Sequence, residues 1–297
     1  MTPITDVPVV TATYTFWRVA AARLRSDRQA VAAFVLLSLL ALLAIGAPLI
    51  VALLTHRQPT DQDLTNLFAS PGRHHWLGTD NLGRDTLTRL AFGARVTLGI
   101  AFLTVFFALT IGVVVGLCSG YFGGWVDEVL MRFVDAVLAL PALFLYMLLA
   151  IIFRPGPVAL ALIIASVNWC ATARLVRAET LALRGNEYVL AARSLGATAR
   201  RTVVRHILPH TLPTVIVAGS ISVGYVILIE AALDFLGLGI QPPTPSWGNM
   251  LTNAQSFLYQ SPLLAILPGG LILLTVVSLN LLGNALRDAL DPKTWQR

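Results

Sequence analysis

Charge is what this sequence has least of. Only 12% of its 297 residues are Asp, Glu, Lys or Arg, against about a quarter in a soluble domain. A chain this poor in charge cannot cover itself with polar surface, and its mean hydropathy of +0.75 suits a polypeptide whose solvent is largely lipid. Lysine is nearly missing, with Lys293 the sole example. No G-x-x-x-x-G-K-[ST] phosphate loop occurs, so any ATP that drives this protein has to be hydrolysed on another chain. Cysteine is scarce too. Cys118 and Cys170 sit in apolar runs, form no disulfide framework and match no metal spacing, and they read as small core residues. His74–His75 has no third ligand beside it and reads as a solvated pair. No compact set of acids, bases or metal ligands marks a membrane enzyme.

Long apolar runs are what the sequence has in quantity. Crossing about 30 Å of hydrocarbon takes roughly 20 helical residues. Six segments qualify: Ala30–Leu54, Val96–Ser119, Val129–Phe153, Pro157–Ala173, Pro213–Leu233 and Leu263–Gly283. The first is too long for a signal-peptide core and reads as a retained anchor. The fold class is therefore all-α and polytopic, with about six spanning helices. Six crossings put both termini on one side, and the arginines choose which. With the termini inside, fifteen basic residues face the cytoplasm and six face out, the asymmetry that sets orientation. The net charge of +6 is thus a topology signal, not a nucleic-acid-binding face. The expected organisation is a cytoplasmic tail over 1–29, an anchor over 30–54 and an extracytoplasmic segment with an amphipathic helix over 55–95. A spanning core over 96–283 follows, with a cytoplasmic loop at 174–212, and then a cytoplasmic tail over 284–297.

Within the core, Gly112, Gly116 and Gly120 recur every fourth residue and form a smooth stripe for close packing inside one subunit. Pro268–Gly269–Gly270 interrupts the last span and allows a kink.

The cytoplasmic loop is the most informative stretch. It reads NEYVLAARSLGATARRTVVRHILP from Asn186 to Pro209. Tyr188, Ala191, Ala192, Leu195 and Gly196 fall at helical spacing on one face. Asn186 is a candidate N-cap, Gly196 a break, and Thr198 a cap for a second short helix. A small apolar face on an arginine-bearing helix fits a groove on a soluble partner; it also fits an anionic lipid surface.

The pattern Ala191-Ala192-x-x-x-Gly196 followed by Ile207-Leu208-Pro209 resembles the coupling loop of ABC importer membrane subunits. The family pattern has a glutamate before the two alanines. Here Leu190 takes that place, and Glu187 lies about one turn earlier. A Glu-Ala-Ala run does occur as Glu230-Ala231-Ala232, but at the outer end of the fifth span, away from a cytoplasmic ATPase. Four further runs narrow the resemblance: HWLGTDNLGRDTLTRLAFGAR from His75, GYFGGWVDEVLMRFVDAVLAL from Gly120, EAALDFLGLGIQPPTPSWGN from Glu230 and the closing NLLGNALRDALDP. Together they are similar to the C-type permease subunit of dipeptide and oligopeptide importers, from about Arg23 to the end. Nickel, glutathione and some sugar transporters share that subunit type.

The resemblance implies a five-helix permease core with one added N-terminal span, in the bacterial cytoplasmic membrane. It implies a homologous second permease, two ATPase subunits that hold ATP and Mg, an extracytoplasmic substrate-binding protein, and a peptide as cargo. It assigns ATPase coupling to Glu187, Tyr188, Ala191, Ala192, Leu195, Gly196, Ile207, Leu208 and Pro209, and no cofactor or metal to this chain. The alternative class, a stand-alone secondary transporter or channel, predicts charged relays or broken helices near the membrane midplane.

Other residues admit two readings. Asp80, Arg84, Asp85, Arg89 and Arg95 lie in an amphipathic stretch before the second span, either a shoulder helix fixed by ion pairs or a contact for the binding protein. Trp247 and Asn249 follow a stiff Pro242–Pro245 stretch and read as an interfacial cap or a docking ledge. Arg132 and Asp135, at i and i+3, are expected to pair. Glu230 and Asp234 are expected to face outer water or a neighbouring helix, where they are candidates for the outer gate.

The purified subunit is expected to hydrolyse ATP no faster than background in a phosphate-release assay. Turnover that persists after contaminating subunits are removed contradicts this.

Overall fold

The structure, a computed structural model, describes residues 21–252 and 254–290. The outer parts of the two expected tails, residues 1–20 with Arg18 and residues 291–297 with Lys293, lie outside the described residues. Among the described residues there is no strand, only an isolated bridge between Thr79 and Asp85.

After a helical stretch over 21–26, helix α1 (Arg28–Ile45) starts where the Asp27 side chain accepts a hydrogen bond from the Gln29 backbone N–H. It runs on past Gly46 through a short turn (Ala47–Ile50) and a π-helical turn (Val51–Thr55). Residues 56–85 form a loop. Helix α2 (Thr86–Phe122) begins at Asp85, whose side chain accepts from the Thr88 N–H at 2.9 Å. With 37 residues it is about 55 Å long, so its first turns stand clear of the hydrocarbon. The amphipathic shoulder helix expected before the second span does not exist as a separate element. Asp85 caps so well that the spanning helix starts there, and Arg89 and Arg95 belong to it.

Gly123, at φ +67°, ends α2 and turns the chain into α3 (Gly124–Leu138), a conformation open mainly to glycine. The span expected over Val129–Phe153 is not one rod. It breaks before Pro141, which cannot continue the preceding helix, and α3 meets α4 (Ala142–Phe153) at 82°. Pro157 opens α5 (Pro157–Leu183), which continues ten residues beyond the expected Ala173. Then come α6 (Glu187–Ser194), the short α7 (Ala199–Thr202) with a π-helical turn (Val203–Ile207), and α8 (Leu208–Phe235). The loop after α8 carries α9 (Trp247–Thr252), and α10 (Leu263–Leu290) passes through Pro268 without interruption. Among the described residues five helical stretches are long and apolar enough to cross a membrane, and the bent α3–α4 pair makes a sixth crossing if taken as one span.

The tightest seam joins α2 to α5. A Cβ placed at Gly112 would lie 2.6 Å from the Thr172 Cβ, at Gly116 2.6 Å from the Ala173 carbonyl, and at Gly120 2.6 Å from the Thr180 Cβ. The stripe packs within the subunit, and only glycine fits along it. The core continues outward through Leu98, Ala101, Val105, Leu160 and Ile164, and across to Val223, Val226 and Ile227 of α8.

Gly116→Val is expected to destabilise the protein by about 1–3 kcal/mol through overpacking, seen as a lower melting temperature in detergent. Gly99→Ala is the control, since a Cβ there meets nothing within 4 Å. Equal melting of the two variants contradicts the tight seam.

Candidate functional site

Helix α6 hangs below the α2–α5 seam by one side chain. Val189 is fully buried and packs in a cluster with Leu117, Val176, Ile207 and Val215. The Tyr188 ring stacks on His210 at 5.3 Å, and the Arg193 guanidinium lies over the Tyr121 ring at 5.9 Å. With that side held, the opposite side of α6 is free. Glu187, Leu190, Ala191, Ser194 and Leu195 are all exposed, Leu195 at 89%.

Gly196 breaks the helix at φ +84° with open space where a side chain would go. Asn186 occupies the N-cap position of α6 without a side-chain capping bond, whereas Thr198 accepts from the Arg201 N–H at 3.3 Å and starts α7.

Two assignments within the loop change. Ile207 is buried and Leu208 half-buried, so they tether the loop from inside; Pro209 alone of that trio is exposed, beside Arg201 and Arg205 at a shallow hollow. Ala192 is half-buried, turned partly toward Val189, while Leu190 lies on the free side. Of the five-residue face read from spacing, Tyr188, Ala191, Leu195 and Gly196 are exposed and Ala192 alone is half-buried, with Leu190 exposed beside them. Val189 is the residue that spacing missed. It differs from its neighbours only in being the apolar β-branched residue between two exposed ones, a weak signal.

Above the loop, the inner ends of α2, α3 and α5 are stitched by charge. Asp127 accepts from Arg177 Nε and Nη2 at 2.5 and 2.6 Å and from the Ser119 hydroxyl. Arg184 donates to the Gly120 carbonyl at 3.0 Å. Arg132 and Asp135 do not pair with each other. Arg132 reaches Glu128 at 3.8 Å, and Asp135 binds Arg174 across to α5. Three residues turn these side chains about 60° apart around the helix, and α5 lies on only one of those sides. Asp135 and Arg174 are both about half exposed; Arg174 lies in α5, which is long and apolar enough to span, and Asp135 in α3, which makes a crossing only together with α4.

The outer candidates form a second cluster, and it is closed. Trp247 is fully buried, neither an interfacial cap nor a ledge; its indole N–H donates to the Leu90 carbonyl at 3.0 Å. Its backbone N–H donates to Thr97 Oγ1 at 3.2 Å, and that hydroxyl donates to Glu230 at 3.3 Å. Glu230 and Asp234 do not face outer water: both are buried. Asp234 accepts from the Ser246 hydroxyl and the Ile240 N–H, and Asn249 donates to the Ile240 and Thr244 carbonyls at 3.1 and 2.8 Å. A Cβ at Gly248 would stand 2.6 Å from Asp234 Oδ2, so the outer loop is pressed onto α8.

Asp80 and Arg84 form their ion pair at 2.7 Å in a loop rather than on a helix, with Arg89 joining at 3.4 Å. His75 is not solvated: it is buried against Asp85 at 3.1 Å, and only His74 is exposed. In the same loop, hydrogen bonds from Thr65 and Asn66 hold the Asp63 carboxyl well below the usual carboxylate range. Among the described residues no group of three or more His, Cys, Asp or Glu side chains is placed to hold a metal.

These features accompany similarity along nearly the whole chain. Residues 108–296 match the family described as binding-protein-dependent transport system inner membrane component, and residues 15–71 match the N-terminal transmembrane domain of oligopeptide transport permease C. The chain is 38% identical over 296 residues to a dipeptide transport system permease protein of Alkalihalophilus pseudofirmus, covering 99% of this chain and 96% of that one. It is 36% identical to an oligopeptide transport system permease protein of Bacillus subtilis, covering 93% and 90%. It is 39% identical to a glutathione transport system permease protein of Pectobacterium atrosepticum, covering 98% and 94%.

Proposed function

Since the chain belongs to the family of inner membrane components of binding-protein-dependent transport systems, we propose that it is the permease subunit of an ATP-driven importer of dipeptides or oligopeptides. It pairs with a homologous second permease in the bacterial cytoplasmic membrane. Two ATPase subunits, which hold ATP and Mg, sit beneath, and an extracytoplasmic binding protein delivers the cargo. Both termini and the loop between α5 and α8 are cytoplasmic, as the arginine asymmetry favours. The resemblance to glutathione transport permeases keeps a small modified peptide within the same substrate class. This chain does no covalent chemistry; it converts motion of the ATPases into motion of helices.

The observation that carries this reading is the α6 peg. Its free side is apolar and exposed, with Leu190, Ala191 and Leu195 outward, and its rear is fixed by Val189 to Leu117 of α2, Val176 of α5 and Val215 of α8. A rigid peg passes a push on to the elements that hold it. Through Val189 the peg shares one buried cluster with residues of three spanning helices, which suits a coupling element. The half-exposed Asp135–Arg174 pair gives a second part of the mechanism. Charges at that exposure do not face hydrocarbon, so this side of α3 and α5 belongs to the wall of the water-filled path, facing the second permease.

Leu195→Glu and Leu190→Glu are expected to lower labelled-peptide uptake at least tenfold with unchanged membrane abundance. Docking then requires desolvating an unpaired carboxylate at a cost of about several kcal/mol. Ala192→Glu, being half-buried, also loosens the peg and reduces abundance. Uptake assayed beside abundance and co-purifying ATPase separates the two effects. Normal uptake in both leucine variants contradicts the coupling role.

A further inference from the structure

A groove runs along the lipid-facing side between the outer part of α1 and the start of the apolar stretch of α2. Ala44 and Leu98 are buried at its floor, and Ala41, Ile45, Gly99 and Phe102 are exposed along its edges. Its volume is about 310 Å³. It stays open because the residues where the helices face each other are small: alanine twice on α1 and glycine on α2, with nothing within 4 Å of the place a Gly99 Cβ would take.

Arg95 stands at one end of this groove. The other α2 arginine, Arg89, is buried, ion-paired to Asp80 and hydrogen-bonded to the Pro59 carbonyl at 3.1 Å. Arg95 is exposed, and its guanidinium has no ion-pair or hydrogen-bond partner among the described residues. It lies where α2 passes from the polar loop layer of residues 56–85 into the run Val96–Ser119, which is the level of lipid headgroups. A fixed cation at headgroup level, continuous with an apolar channel leading toward the bilayer centre, matches the two ends of a phospholipid.

We propose that this groove is a phospholipid-binding site, with Arg95 holding the phosphate and one acyl chain lying between Ala41 and Ala44 of α1 and Leu98, Gly99 and Phe102 of α2. The guanidinium presents its planar N–H fork to the phosphate oxygens. The chain replaces the side-chain contacts that the small residues do not make, so the lipid acts as a filler between the N-terminal helix and the core. In the orientation proposed above it belongs to the outer leaflet; the site itself does not depend on that orientation.

Native mass spectrometry of the complete transporter, purified gently in detergent, tests this. The complex should retain phospholipid and should take up added phosphatidylglycerol from mixed micelles saturably. Arg95→Gln should weaken that binding about fivefold, the size of one interfacial cation–phosphate contact, and Arg95→Lys should largely restore it. Gly99→Leu should abolish binding by filling the groove while leaving Arg95 in place. Bound lipid stabilises the fold by mass action, so added phosphatidylglycerol should raise the melting temperature of the parent and of Arg95→Lys but not that of Gly99→Leu. The proposal is overturned if all variants bind the lipid equally. It is also overturned if inorganic phosphate binds in Gly99→Leu as in the parent, which makes the site one for free phosphate. A photoreactive group at Phe102 that cross-links to another subunit instead of lipid overturns it too.

Discussion

The approach of α2 to α5 is the constraint on which the other features depend. Three glycines spaced by four bring the two backbones together over Thr172, Ala173, Val176 and Thr180, and no side chain fits between. Small-residue seams of this kind drive helix association in lipid, where burying apolar surface gives no advantage over leaving it in the bilayer. The seam is locked at its inner end by the bidentate Arg177–Asp127 pair and by Arg184 on the Gly120 carbonyl. It is continued outward by the packing of Leu98, Ala101 and Val105 on Leu160 and Ile164.

Both working ends attach to this seam. Val176, one turn from Ala173, is a wall of the pocket that holds Val189 of the peg. At the other end Thr97 and Leu90 of α2 receive Trp247, and through Thr97 the buried Glu230 of α8. In the coupling role proposed above, a push on α6 meets the closely packed α2–α5 pair, whose far end holds the loop that carries Trp247. The bend before Pro141 leaves α3 and α4 outside the seam, with α3 tied to it by Asp127 and Asp135.

Much of this was legible in the residues. Apolar run length gave the crossings, because the hydrocarbon thickness leaves little choice. The glycine period gave a close seam, and Gly196 with Thr198 gave the break and restart in the loop. What was not legible came from contacts distant in sequence. Nothing local tells that Asp135 meets Arg174 thirty-nine residues on rather than Arg132. Equally, nothing local tells that Glu230 is sealed by a tryptophan 17 residues further on. Spacing placed four residues of the loop's exposed face, Tyr188, Ala191, Leu195 and Gly196, but not the anchor opposite them; that Val189 is buried is decided by the distant pocket at Val176 and Ile207. The capping strength of Asp85 was likewise hidden, so a continuous helix was read as a separate shoulder.

The coupling role proposed for α6 requires its free side to touch an ATPase in the cytoplasm. A photoreactive group attached to a cysteine at Leu195, in a Cys118→Ala and Cys170→Ala background, tests it in sealed native membranes. The expected result is a cross-link to an ATPase subunit whose yield changes when ATP is added, and no labelling of that cysteine by an impermeant reagent from outside. Labelling from outside, with no ATPase cross-link, contradicts it.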